Sequence, residues 1–114
     1  MSVTVRNIFF PAALLMLLSG TCLNAQKTDL TGYRIFINPG HGGYDSDDRH
    51  MLATDFWESE GNLVKGLYLR DLLRNMKADV YMSRTTNNTG DDLPLSAISQ
   101  MANDLNVHFF LSIH

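Results

Sequence analysis

The sequence predicts an α/β domain of the three-layer type, with a mainly parallel sheet and the element order β-α-β-α-β. Three observations lead there. Short runs rich in β-branched and aromatic residues fall at 33–38, 78–84 and 107–114. Between them, over 58–77 and 94–106, apolar residues recur at three- and four-residue steps, the period of a helix with one buried face. Strands that alternate with helices pair in parallel, because a parallel neighbour is reached only through a long crossover.

Residues 1–25 stand apart from this pattern. Arg6 gives a positive start, and Ile8 to Leu18 form an apolar run interrupted only by Pro11. Leu23-Asn24-Ala25 then precede Gln26. This is the layout of a secretory signal peptide cleaved after Ala25. The apolar run of about 11 residues is too short for the roughly 20 that span a bilayer, so no stable membrane insertion is expected after cleavage. Cys22 is a poor match to a lipidation site, since Thr21 and Ser19 stand where a small residue and a leucine are wanted. Cleavage after Ala25 removes this sole cysteine, which leaves histidines and carboxylates as the only strong metal ligands of the mature chain.

The remaining segment, 26–114, opens with a polar lead-in to the first strand, Tyr33 to Asn38, which Pro39-Gly40 ends. Residues 39–57 show no clean period and read as a long loop, a length that usually signals either function or disorder. The first helix is expected over Glu58–Lys77, with Glu58 and Glu60 at its positive end and Arg74 and Lys77 at its negative end. Leu63, Val64, Leu67, Leu69, Leu72, Leu73 and Met76 supply its apolar residues. Ala78–Arg84 is the second strand and Thr85–Asp92 a polar turn region. The second helix, 94–106, carries Leu95, Ile98, Met101, Ala102 and Leu105 on one face, and Val107–His114 is the third strand. With three strands and two helices, at least one sheet edge is expected open and one face bare, although parallel sheets are normally covered on both.

The whole chain of 114 residues fits one domain, and its formal charge of −3 gives no basic excess, so a nucleic-acid partner is not expected. Chemistry is sought instead at the carboxyl ends of the strands, where open parallel sheets bind ligands. His41 follows the first strand, Glu58 opens the helix that returns from that rim, and His114 ends the third strand. Two histidines and one carboxylate form the protein ligand set of many catalytic zinc sites, with a fourth position left for water. Each residue also has a plainer reading. His41 could be structural, Glu58 a first-turn helix acid with Glu60 competing as ligand, and His114 a polar strand end. Gly40, Gly42 and Gly43 would let the chain turn sharply and leave room beside the metal for a bulky substrate. His50 and His108 read as structural, and Asp45, Asp47 and Asp48 as a solvated loop face without the full spacing of a calcium loop. The sequon Asn87-Asn88-Thr89 reads as chance.

Four ordered motifs give these residues a family context. Ile35 to Asp45 (IFINPGHGGYD) resembles the opening of the zinc-dependent N-acetylmuramoyl-L-alanine amidases. Glu58-Ser-Glu-Gly-Asn62-Leu63, Ser83-Arg84-Thr85, and Ala102-Asn103 with Phe110 to His114 resemble the motifs that follow. The resemblance covers 33–114 and implies that 26–114 is the N-terminal part of such a catalytic domain. It implies Zn2+ as cofactor with His41, Glu58 and His114 as ligands, Glu58 being preferred to Glu60 by its spacing to Asn62. It further implies Asn62 and Arg84 as substrate-binding residues and peptidoglycan as partner. The reaction implied is hydrolysis of the amide between N-acetylmuramic acid and L-alanine, in the periplasm or outside the cell. The family's general-base Glu has no counterpart among these residues, so its position is expected beyond residue 114 and the segment alone is expected to be inactive. Departures are Asn38 where Asp is common, Ser46-Asp47-Asp48-Arg49 inserted after Asp45, and Ile98 where an Arg is usual. Two other readings remain: a non-catalytic peptidoglycan-binding module, or the N-terminal accessory part of a larger secreted polysaccharide-active protein.

Overall fold

The computed structural model describes residues 29–45 and 49–114; the signal-peptide reading of 1–25, with Cys22, lies outside them, as do Ser46, Asp47 and Asp48. Strand β1 (Arg34–Pro39) is followed by two short strands, β2 (His50–Met51) and β3 (Phe56–Trp57), then helix α1 (Glu58–Asn75) and strand β4 (Asp79–Met82). A 3-10 turn at Thr89–Asp91, helix α2 (Leu95–Asp104) and strand β5 (Phe109–Ile113) complete the order.

Strand β1 lies in the middle of a parallel sheet ordered β4-β1-β5. The chain therefore leaves β1 to one side through α1 and returns to its other side through α2. That reversal puts the helices on opposite faces. Ile35 and Ile37 turn toward Leu69 and Leu73 of α1, whereas Phe36, buried completely, packs with Ile98 and Ala102 of α2. The expectation of a bare face is thus corrected: each face carries one helix. The open edge does occur among the described residues, along β5, whose Phe109, Phe110 and Leu111 remain exposed although Phe110 stacks on Phe36.

Helix α1 departs from the apolar stripe its leucines suggest. Its buried positions are Ser59, Asn62 and Gly66, continued by the partly buried Leu69 and Leu73, while Val64 and Leu72 face solvent. The inner stripe still steps by three and four, but its N-terminal half is polar or small. Gly66 lets the helix close on Pro39, since a Cβ there would stand 2.8 Å from the proline Cγ.

Both helices stop in the same way. Ala78 N–H reaches back to Leu73 O and Lys77 N–H to Arg74 O, with Lys77 at φ 69°. Val107 and Asn106 repeat the pattern on Ala102 and Asn103, with Asn106 at φ 46°. This is the Schellman ending, here with Lys and Asn in the left-handed position usually held by Gly. The carboxyl ends of the three strands are tied together by Asn38, which is buried. Its Nδ2 donates to Ser112 Oγ at 3.0 Å, and Ser83 Oγ donates to its Oδ1 at 2.7 Å.

The loop expected over 39–57 contains a small antiparallel ribbon, β2 paired with β3. Two-residue strands carry no readable alternation, so pattern alone could not find it. Its stability comes from aromatic contacts: His50 stacks on Trp57 at 4.1 Å, and Tyr44 meets Trp57 edge-on at 5.5 Å.

Candidate metal centre

His41, Glu58 and His114 meet at the carboxyl rim between β1 and β5, the place where the strand order reverses. Crevices form at such switch points because the connections on either side diverge. His41 Nε2 lies 3.5 Å from Glu58 Oε1, and His114 Nδ1 lies 3.4 Å from the same oxygen. One donor atom from each of the three residues falls within 4.8 Å of the others. A tetrahedral zinc with ligands at 2.0–2.1 Å requires donor separations of about 3.3 Å. The two carboxylate–imidazole edges are therefore already near that spacing, and the donor set of two nitrogens and one oxygen fits zinc. Glu60, its sequence competitor, lies exposed on α1 and outside this cluster.

The backbone around His41 is shaped for this meeting. His41 itself sits at φ 64°, a left-handed conformation uncommon for residues other than glycine and frequent at functional sites. The glycine run serves close packing rather than open space. A Cβ on Gly40 would stand 2.4 Å from the Cε1 of His114, and one on Gly42 2.6 Å from the backbone nitrogen of Asp92. Gly43 abuts Thr89 in the same way. The room expected for a bulky substrate is thus taken by the His114 ring and the 88–92 segment.

Space for a ligand is found instead in two hollows that border members of the triad. A cleft of about 530 Å³ is lined by His41, His114, Gly40 and Asn38 on the rim and by Leu93, Pro94, Leu95 and Ile98 on the α2 side. A smaller hollow of about 270 Å³ is lined by Glu58 and by His50, Met51 and Phe56 of the β2–β3 ribbon. Arg49 borders both and pairs with Asp92 at 2.8 Å, linking the ribbon to the turn before α2.

Asn62 and Arg84 lie beneath the triad, and neither lines the cleft. Asn62 is fully buried; its Nδ2 donates to Gly40 O and to Glu58 Oε1, both at 3.3 Å, and its Oδ1 has no partner among the described residues. Arg84 is buried among backbone carbonyls. Burial lowers its pKa from the usual arginine value, while the negative charges of Asp91 and Asp92 oppose that shift.

Two residues without a sequence signal complete the site. Ser59 Oγ donates to Gly43 O at 2.6 Å, and Asn87 bridges Gly43 N–H, Ser59 Oγ and Arg84. Asn87 is the residue of the chance sequon, and only its position in three dimensions reveals the role. The remaining histidines are structural in their contacts. His50 pairs with Asp55 at 2.8 Å, and His108 Nδ1 accepts from Arg34 N–H at 2.9 Å.

Among the described residues, no helix is long and apolar enough to cross a membrane. Residues 35–114 match the family model of N-acetylmuramoyl-L-alanine amidase. The N-acetylmuramoyl-L-alanine amidase CwlM of Bacillus licheniformis is 36% identical over 83 residues, which cover 71% of this chain and 30% of that relative. The chain thus spans less than a third of the relative's length. With the motifs in order along one parallel sheet and the match running through residue 114, the chain belongs to the N-acetylmuramoyl-L-alanine amidase family.

Proposed function

We propose that this chain provides the zinc centre and substrate cleft of a secreted hydrolase that cleaves the amide between N-acetylmuramic acid and L-alanine in peptidoglycan. The observation that carries the proposal is the convergence of His41, Glu58 and His114, with near-tetrahedral edges, at a rim flanked by two hollows. A substrate with a glycan arm and a peptide arm flanking its scissile amide suits a centre bordered by two hollows. When bound, zinc supplies an acidified water, with a pKa near 7, and a positive charge that polarises the amide carbonyl.

The chain's own residues hold and surround that centre. Glu58 contributes one negative charge, so the loaded site keeps a net positive charge for the developing oxyanion. Leu93, Pro94 and Leu95 give the larger cleft an apolar wall, which excludes water along one side of the bound amide. The rim pair Arg49–Asp92 offers a charged contact to a substrate that itself carries carboxylates and amides. The base that accepts the water's proton is assigned to a glutamate outside these 114 residues, and the site of action to the periplasm or the cell exterior.

The test is incubation of a muramoyl-dipeptide and of intact peptidoglycan with the protein and zinc, read by mass spectrometry. The proposal expects binding without turnover from residues 26–114, and release of peptides with a free L-alanine N-terminus from any form of the protein that also carries such a glutamate. That release should stop with a chelator or with His41→Ala. Release that survives both excludes a zinc amidase, and cleavage within the glycan instead points to a polysaccharide-active protein. Binding with no turnover in any form of the protein identifies a peptidoglycan-binding module.

A further inference from the structure

We infer that Arg84 is a positioning residue for the metal centre: its buried guanidinium fixes the two chain segments that carry His41 and Glu58 at the separation a metal requires. The inference rests on the zinc reading above and assigns Arg84 a task other than contact with substrate. A guanidinium has five N–H donors in one plane. Here all five have an acceptor. Nε donates to Pro39 O at 2.9 Å, and one terminal nitrogen to Gly40 O at 3.1 Å and Ser59 O at 2.6 Å. The other donates to Thr86 O at 2.9 Å and Asn87 Oδ1 at 3.2 Å.

The identity of these acceptors matters more than their number. Gly40 immediately precedes His41, and Ser59 immediately follows Glu58. One nitrogen therefore clamps the neighbours of two ligands, which lie 44 and 25 residues before Arg84 in sequence. Among the described residues no carboxylate is hydrogen-bonded to the guanidinium, although Asp91 and Asp92 lie near enough to favour its charge. A buried cation held by neutral carbonyls is costly unless every donor is satisfied. The complete set of bonds meets that condition, and it also explains why the backbone here can hold His41 at φ 64°. Asn87 extends the clamp, since it accepts from Arg84 and from Gly43 N–H and donates to Ser59 Oγ. Lysine cannot substitute, because three tetrahedral donors cannot reach acceptors spread around a planar fork.

The experiment measures zinc affinity of the full chain by competition with a chromophoric chelator, alongside thermal melting with metal removed. Arg84→Lys should weaken zinc binding about 10- to 100-fold, the usual effect of losing an outer partner of a metal ligand. Asn87→Ala, which removes a partly exposed side chain, should weaken it several-fold while the metal-free melting temperature stays within a few degrees. If Arg84→Lys does not fold, Asn87→Ala alone decides. Unchanged zinc affinity in a folded Arg84→Lys, or in Asn87→Ala when only that variant folds, overturns the inference. A wild-type chain that binds no zinc, or binds it equally well as His41→Ala, overturns the metal reading on which the inference stands, and so is distinguished from failure of the clamp alone.

Discussion

Gly40→Ala isolates the geometry of the centre from the stability of the fold. The added Cβ would stand 2.4, 2.7 and 2.9 Å from the Cε1, Nδ1 and Nε2 atoms of His114. Carbon atoms in ordinary contact are about 3.5–4.0 Å apart, so the ring must retreat by roughly 1 Å or more. It is free to do so, because the His114 side chain is 54% exposed and ends an edge strand. The retreat moves Nδ1 out of its 3.4 Å position beside Glu58 Oε1. Metal–ligand distances tolerate about 0.2 Å, so one of three ligands is lost. Zinc affinity should fall by at least the roughly 10- to 100-fold caused by losing an outer partner. Metal-free stability should change by less than about 1 kcal/mol, since no core side chain moves. Chelator competition gives the affinity and a urea titration in EDTA gives the stability. A variant that binds zinc within twofold of wild type would refute the placement of His114 at the metal.

Other substitutions test the frame. Zinc at 100 times its dissociation constant should stabilise the chain by about 2.7 kcal/mol, raising the melting temperature by on the order of ten degrees, and the shift should vanish in Glu58→Ala when followed by differential scanning calorimetry. Phe36→Ala empties the centre of the α2-side core, where the ring is completely buried, and should remove about 3–5 kcal/mol in a urea titration. Asn38→Ala leaves Ser83 and Ser112 without their shared partner at the buried strand ends and should cost about 1–3 kcal/mol by the same measurement.

Legibility of this fold in the sequence followed the strength of each local pattern. The β1 segment and both helices were readable because their periods are long and their ends carry charges or breakers. Observed ends differ by one or two residues, as at Asn75 and Asp104, where Schellman endings built on Lys77 and Asn106 replace the glycine that would mark a stop. The meeting of His41, Glu58 and His114 was readable in part, because topology sends strand ends and a helix start to one rim, while the preference for Glu58 over Glu60 came only from the family resemblance in its spacing to Asn62. What the sequence hid was the inner face of α1. Ser59 and Asn62 look like exposed polar positions beside a leucine-rich helix, yet they are buried because the glycine loop and Arg84 supply their partners. The β2–β3 ribbon was hidden for a different reason: it is held by ring contacts among Tyr44, His50 and Trp57 rather than by strand pattern. The glycine run is legible as a sharp turn, but what packs against it, the His114 ring and the 88–92 backbone, is visible only in three dimensions.

Zinc K-edge absorption on the loaded full chain tests the central claim most directly. A centre built on His41, Glu58 and His114 gives a four-coordinate spectrum of nitrogen and oxygen ligands at about 2.0–2.1 Å, with two imidazoles and no sulfur, disappearing in His41→Ala. A sulfur ligand, which could come from Cys22 or a methionine, or an unchanged spectrum in His41→Ala, would contradict it.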